Sequence, residues 1–240
     1  MTGPAVILVD PQLGENIGMV ARAMLNCGLT DLRLVRPRDG WPNEKAVSAS
    51  SGADMVVYRA KLFDTTAEAI ANLSRVYAAT ARDRDMTKEV VTPAGAAAEI
   101  RDFGTAGTGV IFGGEAKGLK NDDVALADKI LTVPLNPEFK SLNLAQSVLL
   151  VAYEWFKLGN DTPDSYTMTP DTRQANKNEL LGLFEHLEGA LDDSGFMHVR
   201  EKRPIMVRNL RNMLQRAGLT EQEVRTLRGV IKSLTYRKET

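Results

Sequence analysis

Residues 5–35 read AVILVDPQLGENIGMVARAMLNCGLTDLRLV, and their pattern decides the fold class. Ala5–Val9 is a short, unbroken apolar run of the kind found in strands covered on both faces. From Asn16 to Asn26 the apolar residues Ile17, Val20, Ala21, Met24 and Leu25 fall along one helical stripe. Gly28 stands where a left-handed residue would close that helix, and Leu32–Val35 supplies the next strand. Working outward, Trp41–Ser51 reads as a loop with a helical turn, Met55–Tyr58 as a strand and Thr66–Leu73 as a helix. Val76–Ala79, Val110–Phe112 and Ile130–Val133 read as strands, Ala94–Phe103 as a helix and Leu142–Leu158 as a long apolar helix. Strands alternating with helices predict an α/β domain with a mostly parallel sheet.

The pattern changes after Leu158. Gly159–Pro170 carries two prolines and no apolar period, so residues 159–171 are expected to link a catalytic domain at 1–158 to a helical extension at 172–240. Within that extension Leu180, Phe184, Leu187 and Leu191 repeat on one helical face. Pro204 can open a second helix and Gly218 close it. Thr220 with Glu223 forms a capping-box pattern for a third, flanked by Leu219 and Val224 at staple positions. The formal charge of −1 conceals a division: Gly195–Thr240 holds 11 Lys/Arg against 4 Asp/Glu, a net of +7, and the rest of the chain is −8. Such a basic end suits a polyanionic partner, although a solvated helix surface would look the same.

Composition narrows the classes. Apolar residues at 43% and charged residues at 25% are ordinary globular values for 240 residues. No apolar run approaches the ~18–20 residues needed to span a bilayer, and Met1–Asp10 lacks the basic segment of a signal peptide. Cys27 is the single cysteine, and His186 and His198 have no cysteine nearby. These features predict a cytoplasmic protein with no structural metal and no membrane. The commonest nucleotide fingerprints are also missing: the chain has no GxGxxG after its first strand, no GxxxxGK[ST] and no GxSxG. Cys27 falls inside an apolar helical pattern, which favours a packed small side chain over a nucleophile.

Three segments carry chemistry. In Gly14-Glu15-Asn16-Ile17-Gly18-Met19-Val20-Ala21-Arg22, Asn16 and Arg22 straddle a helix start, where amide groups and a forked cation favour phosphate. An N-cap Asn16 and a surface Arg22 would be the structural alternative. In Phe112-Gly113-Gly114-Glu115-Ala116-Lys117-Gly118-Leu119, a strand runs into two glycines that admit close backbone approach, and Glu115 follows. A solvated Glu115 after a glycine-rich strand exit is equally compatible. In Val133-Pro134-Leu135-Asn136-Pro137-Glu138-Phe139-Lys140-Ser141-Leu142-Asn143-Leu144-Ala145, two prolines fix an extended loop leading to a buried helix. Its backbone groups cannot all bond one another and are left for an adenine edge. Here the alternative is N-capping by Ser141, with Asn143 exposed in the first turn.

Taken in order and spacing, the three segments resemble motifs 1, 2 and 3 of the SpoU branch of the SPOUT methyltransferases, over Ala5–Phe156. The combination N-x-G-x-x-x-R, FGGE-x-x-G-L and N-P-x-x-x-S-L-N-L-A is specific where each alone is weak. Ala79-Thr80-Ala81-Arg82 and the helical extension are similar to the TrmJ subfamily, which methylates the ribose of tRNA nucleotide 32. The resemblance implies a C-terminal deep trefoil knot in the catalytic domain, a feature nearly absent from proteins that no periodicity suggests. It implies a homodimer, S-adenosylmethionine as cofactor and tRNA as substrate, with ribosomal RNA as the alternative. By the same resemblance Ala79, Thr80, Ala81, Gly113, Val133, Leu135, Lys140, Ser141 and Leu142 would cradle the cofactor. Asn16, Arg22, Glu115, Ser141 and Asn143 would form the reacting site. Gly114, where relatives often carry Arg, and Ala79, in place of a hydroxyl residue, depart from the family pattern.

The implied reaction is in-line attack of a ribose oxygen on a sulfonium methyl, and DNA, lacking the 2′-hydroxyl, is not a substrate. The family view makes Arg22 the base. Because an arginine side chain keeps its proton up to pKa ~12 or above, a clamp for phosphate and developing alkoxide charge is the preferred role. Two other classes remain: a noncatalytic RNA-binding protein, which has no need of the Ser141/Asn143 loop, and a nicotinamide oxidoreductase, which lacks the glycine fingerprint.

Overall fold

A computed structural model describes residues 3–82, 86–104, 107–166 and 171–236. The expected linker thus lies partly outside the described residues, at 167–170. Two compact units are present, Met1–Thr162 and Pro163–Thr240.

The first unit is built on seven strands: β1 (Ala5–Val9), β2 (Leu32–Val35), β3 (Lys61–Phe63), β4 (Arg75–Ala79), β5 (Val90–Val91), β6 (Thr108–Gly113) and β7 (Lys129–Leu131). They lie in the order β3-β2-β1-β6-β4-β7-β5, and every pairing is parallel. The helices are α1 (Gly14–Asn26), α2 (Glu44–Ser50), α3 (Asp54–Tyr58), α4 (Thr66–Ile70), α5 (Pro93–Phe103), α6 (Asn121–Ala125) and α7 (Leu144–Lys157). All five residues of β1 are buried, as its unbroken apolar run requires, because alternate side chains enter two different cores. Val6 and Leu8 join the larger cluster with Ile17, Val20 and Met24 of α1, Ile100 of α5 and Val148 and Trp155 of α7. Ala5, Ile7 and Val9 face Ala69 of α4 and Val124 of α6. Cys27 is packed in the larger cluster, and burial pushes its thiol pKa up. The parallel α/β sheet expected from the sequence is thus present, with helical layers on both faces.

Several local expectations need correction. Met55–Tyr58 is helix α3, not a strand: Val56 and Val57 are buried side by side while Met55 and Tyr58 face solvent, the geometry of one helical turn rather than of alternation. The strand of that region is β3, whose Lys61 and Leu62 are exposed because it forms a sheet edge. The loop expected at Trp41–Ser51 contains the whole of α2, capped by Asn43, whose side chain accepts the Lys45 and Ala46 amides. Strand β7 stops at Leu131, short of Val133. Helix α7 begins at Leu144, and its N-cap is Asn143 rather than Ser141.

The second unit consists of α8 (Lys177–Asp193), α9 (Arg203–Arg216) and α10 (Glu221–Thr235) around Leu180, Leu183, Phe184 and Val224, with Leu219 packed against them. The Thr220/Glu223 capping box is formed, and Gly218 (φ +60°) follows α9 in the left-handed region. Arg211 clamps Glu188 with two bonds (2.6 and 2.9 Å) and covers the Phe184 ring. Among the described residues Arg200, Lys202, Arg208, Arg216, Arg228 and Lys232 are exposed and have no carboxylate partner. No described helix is long and apolar enough to cross a membrane.

Candidate active site

The sheet order places β2 and β3 on one side of β1 and the later strands on the other, so loops diverge at the carboxyl ends of the central strands. A cleft opens there, beyond the ends of β4, β6 and β7. Its walls are Ala79–Arg82 after β4, the turn from Phe112 to Leu119 after β6, and the loop from Val133 to Leu142 after β7. All nine residues expected to cradle a cofactor line it. Phe112, Leu119, Leu131 and Leu144 add apolar surface, and Ser147 a hydroxyl. The sequence reading passed over these because they look like ordinary core positions flanking the motifs.

Backbone packing shapes the turn after β6. A Cβ on Gly113 would overlap the Gly118 carbonyl carbon and the Leu119 nitrogen, and one on Gly114 would overlap the Asp10 carbonyl oxygen. Gly113 therefore lets the turn fold back on its own backbone, and Gly114 lets the exits of β1 and β6 approach more closely than any side chain permits. The departure at Gly114 is thus matched by the close lie of Asp10, itself at positive φ.

Beside this turn the three motifs meet through a hydrogen-bonded chain. Asn16 Nδ2 donates to Glu115 Oε1 at 2.6 Å, and Asn143 Nδ2 donates to Asn16 Oδ1 at 3.1 Å. Glu115 also accepts the Gln12 amide on Oε2 at 2.8 Å and the Leu13 amide on Oε1 at 3.3 Å. Leu13, the N-cap of α1, has no capping side chain, so Glu115 serves that helix start from a distance in sequence. Burial opposes ionisation of Glu115, but the bonds from Asn16 and from the backbone amides of Glu115, Gln12 and Leu13 outweigh it and hold its pKa below the usual carboxylate value. Asn16 is buried and occupied by this chain rather than by capping. The amides of Gln12 and Leu13 leave no side-chain signal in the sequence.

Glu115 and Ser141 line the cleft, and Asn16 and Asn143 are tied to Glu115. Arg22 is not brought among them. It is exposed on the outer stripe of α1 with Met19 and lines no part of the cleft. The amides of Leu135, Lys140, Ser141 and Leu142 donate to no protein acceptor among the described residues. Apolar walls with free backbone donors suit an adenine ring and its edge. No described group of three His, Cys, Asp or Glu side chains is poised for a metal ion.

The chain matches the SpoU rRNA Methylase family over residues 3–153 and the C-terminal domain of the tRNA methyltransferase TrmJ over residues 178–240. It is 33% identical to the tRNA (cytidine/uridine-2′-O-)-methyltransferase TrmJ of Yersinia pestis over 233 residues, 95% of this chain and 90% of that one. The crystal structure of TrmJ from Z. mobilis ZM4 is 52% identical, with a TM-score of 0.83 over 97% of this chain and 99% of the other. The SpoU methyltransferase AviRb from Streptomyces viridochromogenes, solved with AdoMet, is 20% identical with a TM-score of 0.51. It covers 65% of this chain and 58% of its own, a likeness of fold alone.

Proposed function

The chain belongs to the SpoU methylase family, in its TrmJ group, and we propose that it methylates the 2′-hydroxyl of a pyrimidine nucleotide, nucleotide 32, in the tRNA anticodon loop. S-adenosylmethionine is the donor, and bound in the cleft it supplies an electrophilic methyl on a positively charged sulfur. The observation that carries this reading is the convergence of three distant segments on one cleft whose edge holds the Asn16–Glu115–Asn143 chain.

Leu135, Lys140, Ser141 and Leu142, whose amides have no protein acceptor among the described residues, would hold the adenine edge, and Val133, Leu135 and Leu142 would supply apolar walls that keep water from it. Glu115 is a positioning residue. Its oxygens are engaged by Gln12, Leu13 and Asn16, so it fixes Asn16 and, through it, the Asn143 amide at the start of α7. Holding the two reactants in near-attack geometry is worth roughly 7–11 kcal/mol, which makes such bracing a large part of the rate. Arg22 clamps phosphate and the developing oxyanion. Since it lies on the exposed stripe of α1, it serves the cleft of a second copy. Leu13 and Met19 near that stripe, with Leu149, Leu150 and Tyr153 on the adjoining α7, are exposed apolar residues suited to a homodimer contact. The unpaired cations Arg200, Lys202, Arg208, Arg216, Arg228 and Lys232 contact tRNA phosphates, and the protein works in the cytoplasm. Mapping ribose methylation in RNA from a deletion strain tests the assignment. Loss of the mark at tRNA nucleotide 32 is expected; loss confined to ribosomal RNA would transfer the activity to that substrate.

A further inference from the structure

Phe139 is an aromatic ring that the protein itself leaves uncovered, at 70% exposure. Exposed aromatics occur elsewhere, among them Tyr58, Phe103, Tyr153 and Tyr166, but Phe139 is the one carried on a loop that walls the cleft, between the lining residues Leu135 and Lys140. Its backbone is held firmly. The Asn136 carbonyl accepts the Phe139 amide at 2.9 Å, and the Asn136 side chain accepts the Glu138 amide at 3.1 Å. Pro134 and Pro137 restrict the chain on either side of Asn136. The next residue, Lys140, is exposed and has no carboxylate partner among the described residues. A bare ring carried on a hydrogen-bonded turn, next in sequence to an unpaired cation that lines the cleft, is suited to bind an unstacked base and its phosphate.

Resting on the function proposed above, we propose that Phe139 is a stacking platform for the pyrimidine base of the nucleotide being methylated. Stacking reads the π-face, which cytosine and uracil share, and leaves their differing hydrogen-bonding edges unread. A platform of this kind would therefore accept both pyrimidines while presenting the attached ribose to the cleft.

The test is steady-state kinetics of the full chain and its Phe139→Leu and Phe139→Trp variants. The tRNA transcripts carry either uridine or 5,6-dihydrouridine, whose saturated ring is not planar, at the methylated nucleotide. With uridine, Phe139→Leu raises KM for tRNA by about 5- to 150-fold, the range expected for one base–aromatic stack. Phe139→Trp keeps KM near wild type, and its added indole fluorescence is quenched by tRNA. Affinity for S-adenosylmethionine is unchanged in both. With dihydrouridine the wild type loses the same factor, and Phe139→Leu adds no further loss. Equal KM for wild type and Phe139→Leu on uridine tRNA would overturn the stacking role. So would a Phe139→Leu defect of the same size on both substrates, which would place the ring against something other than the base. A wild-type chain that leaves every tRNA unmethylated would instead overturn the substrate reading, and this inference with it.

Discussion

Both oxygens of Glu115 are taken by donors from Gln12, Leu13 and Asn16, so removing its charge acts on geometry before chemistry. Glu115→Gln sets an amide group against one of those donors and leaves it unsatisfied, a cost of about 1–3 kcal/mol in stability. Denaturant unfolding should show that loss at neutral pH. Because the folded pKa of Glu115 is depressed, its contribution is present above the ordinary carboxylate range and disappears as pH falls through the folded value. The two proteins should therefore converge in acid; a gap that stays constant with pH would contradict the charge-based account. Arg22 makes a different prediction, since it touches neither the cleft nor the Glu115 chain. Arg22→Ala should lower the single-turnover rate by about 10²–10³ with cofactor affinity intact, and Arg22→Lys should retain part of it. An Arg22→Ala variant as fast as wild type would reduce Arg22 to a surface residue. Asn16 and Glu115 were legible as candidates from motif position, but their partnership was not. A bond across 99 positions has no local pattern, and the backbone donors at Gln12 and Leu13 have none either.

At the scale of elements, legibility followed length and burial. β1, α1, α5, β6 and α7 present unbroken apolar runs or stripes, and each appeared within two residues of its expected bounds. Met55–Tyr58 failed because four residues are too few to separate a helical period from a strand. β3 and β5 were invisible because edge strands of two or three residues carry exposed side chains and no alternation. Ser141 as N-cap was the structural alternative for α7, and it does not hold: Asn143, two residues on, accepts the Ala145 amide at 2.8 Å. The loop between β7 and α7 is the element that most directly forms the cleft. Leu135→Asp places a carboxylate against the expected adenine face, where desolvation disfavours the charge. Calorimetry should find cofactor binding weakened at least ten-fold, with the fold unchanged by circular dichroism. Unaltered affinity would remove this loop from the cofactor site.

Across the whole molecule, the basic stretch Gly195–Thr240 lies inside the second unit and begins only after α8, so the charge division cuts across the structural one. The two large cores lie entirely within residues 5–156, and the third cluster within the helical unit. A chain ending at Leu158 should therefore fold and bind S-adenosylmethionine, but bind tRNA more weakly and with a shallower salt dependence, since the unpaired cations of α9 and α10 are gone. Equal tRNA affinity and salt slope would exclude the extension from binding. The homodimer was implied by resemblance alone, because a self-complementary surface has no sequence period. It predicts that a mixed dimer of Arg22→Ala and Leu135→Asp chains recovers activity that neither variant has alone, because one cleft is then complete. The trefoil knot was likewise carried only by resemblance, since threading of loops leaves no trace in composition or spacing. One cleft that both holds the methyl donor and serves a tRNA ribose must yield a defined product. Purified chain, S-adenosylmethionine and unmodified tRNA, followed by mass spectrometry of the nuclease digest, address it directly. The expected product is a 2′-O-methylated pyrimidine from nucleotide 32, abolished when that nucleotide is 2′-deoxy. Methylation of a base, or none in tRNA under conditions where the cofactor is bound, would contradict it.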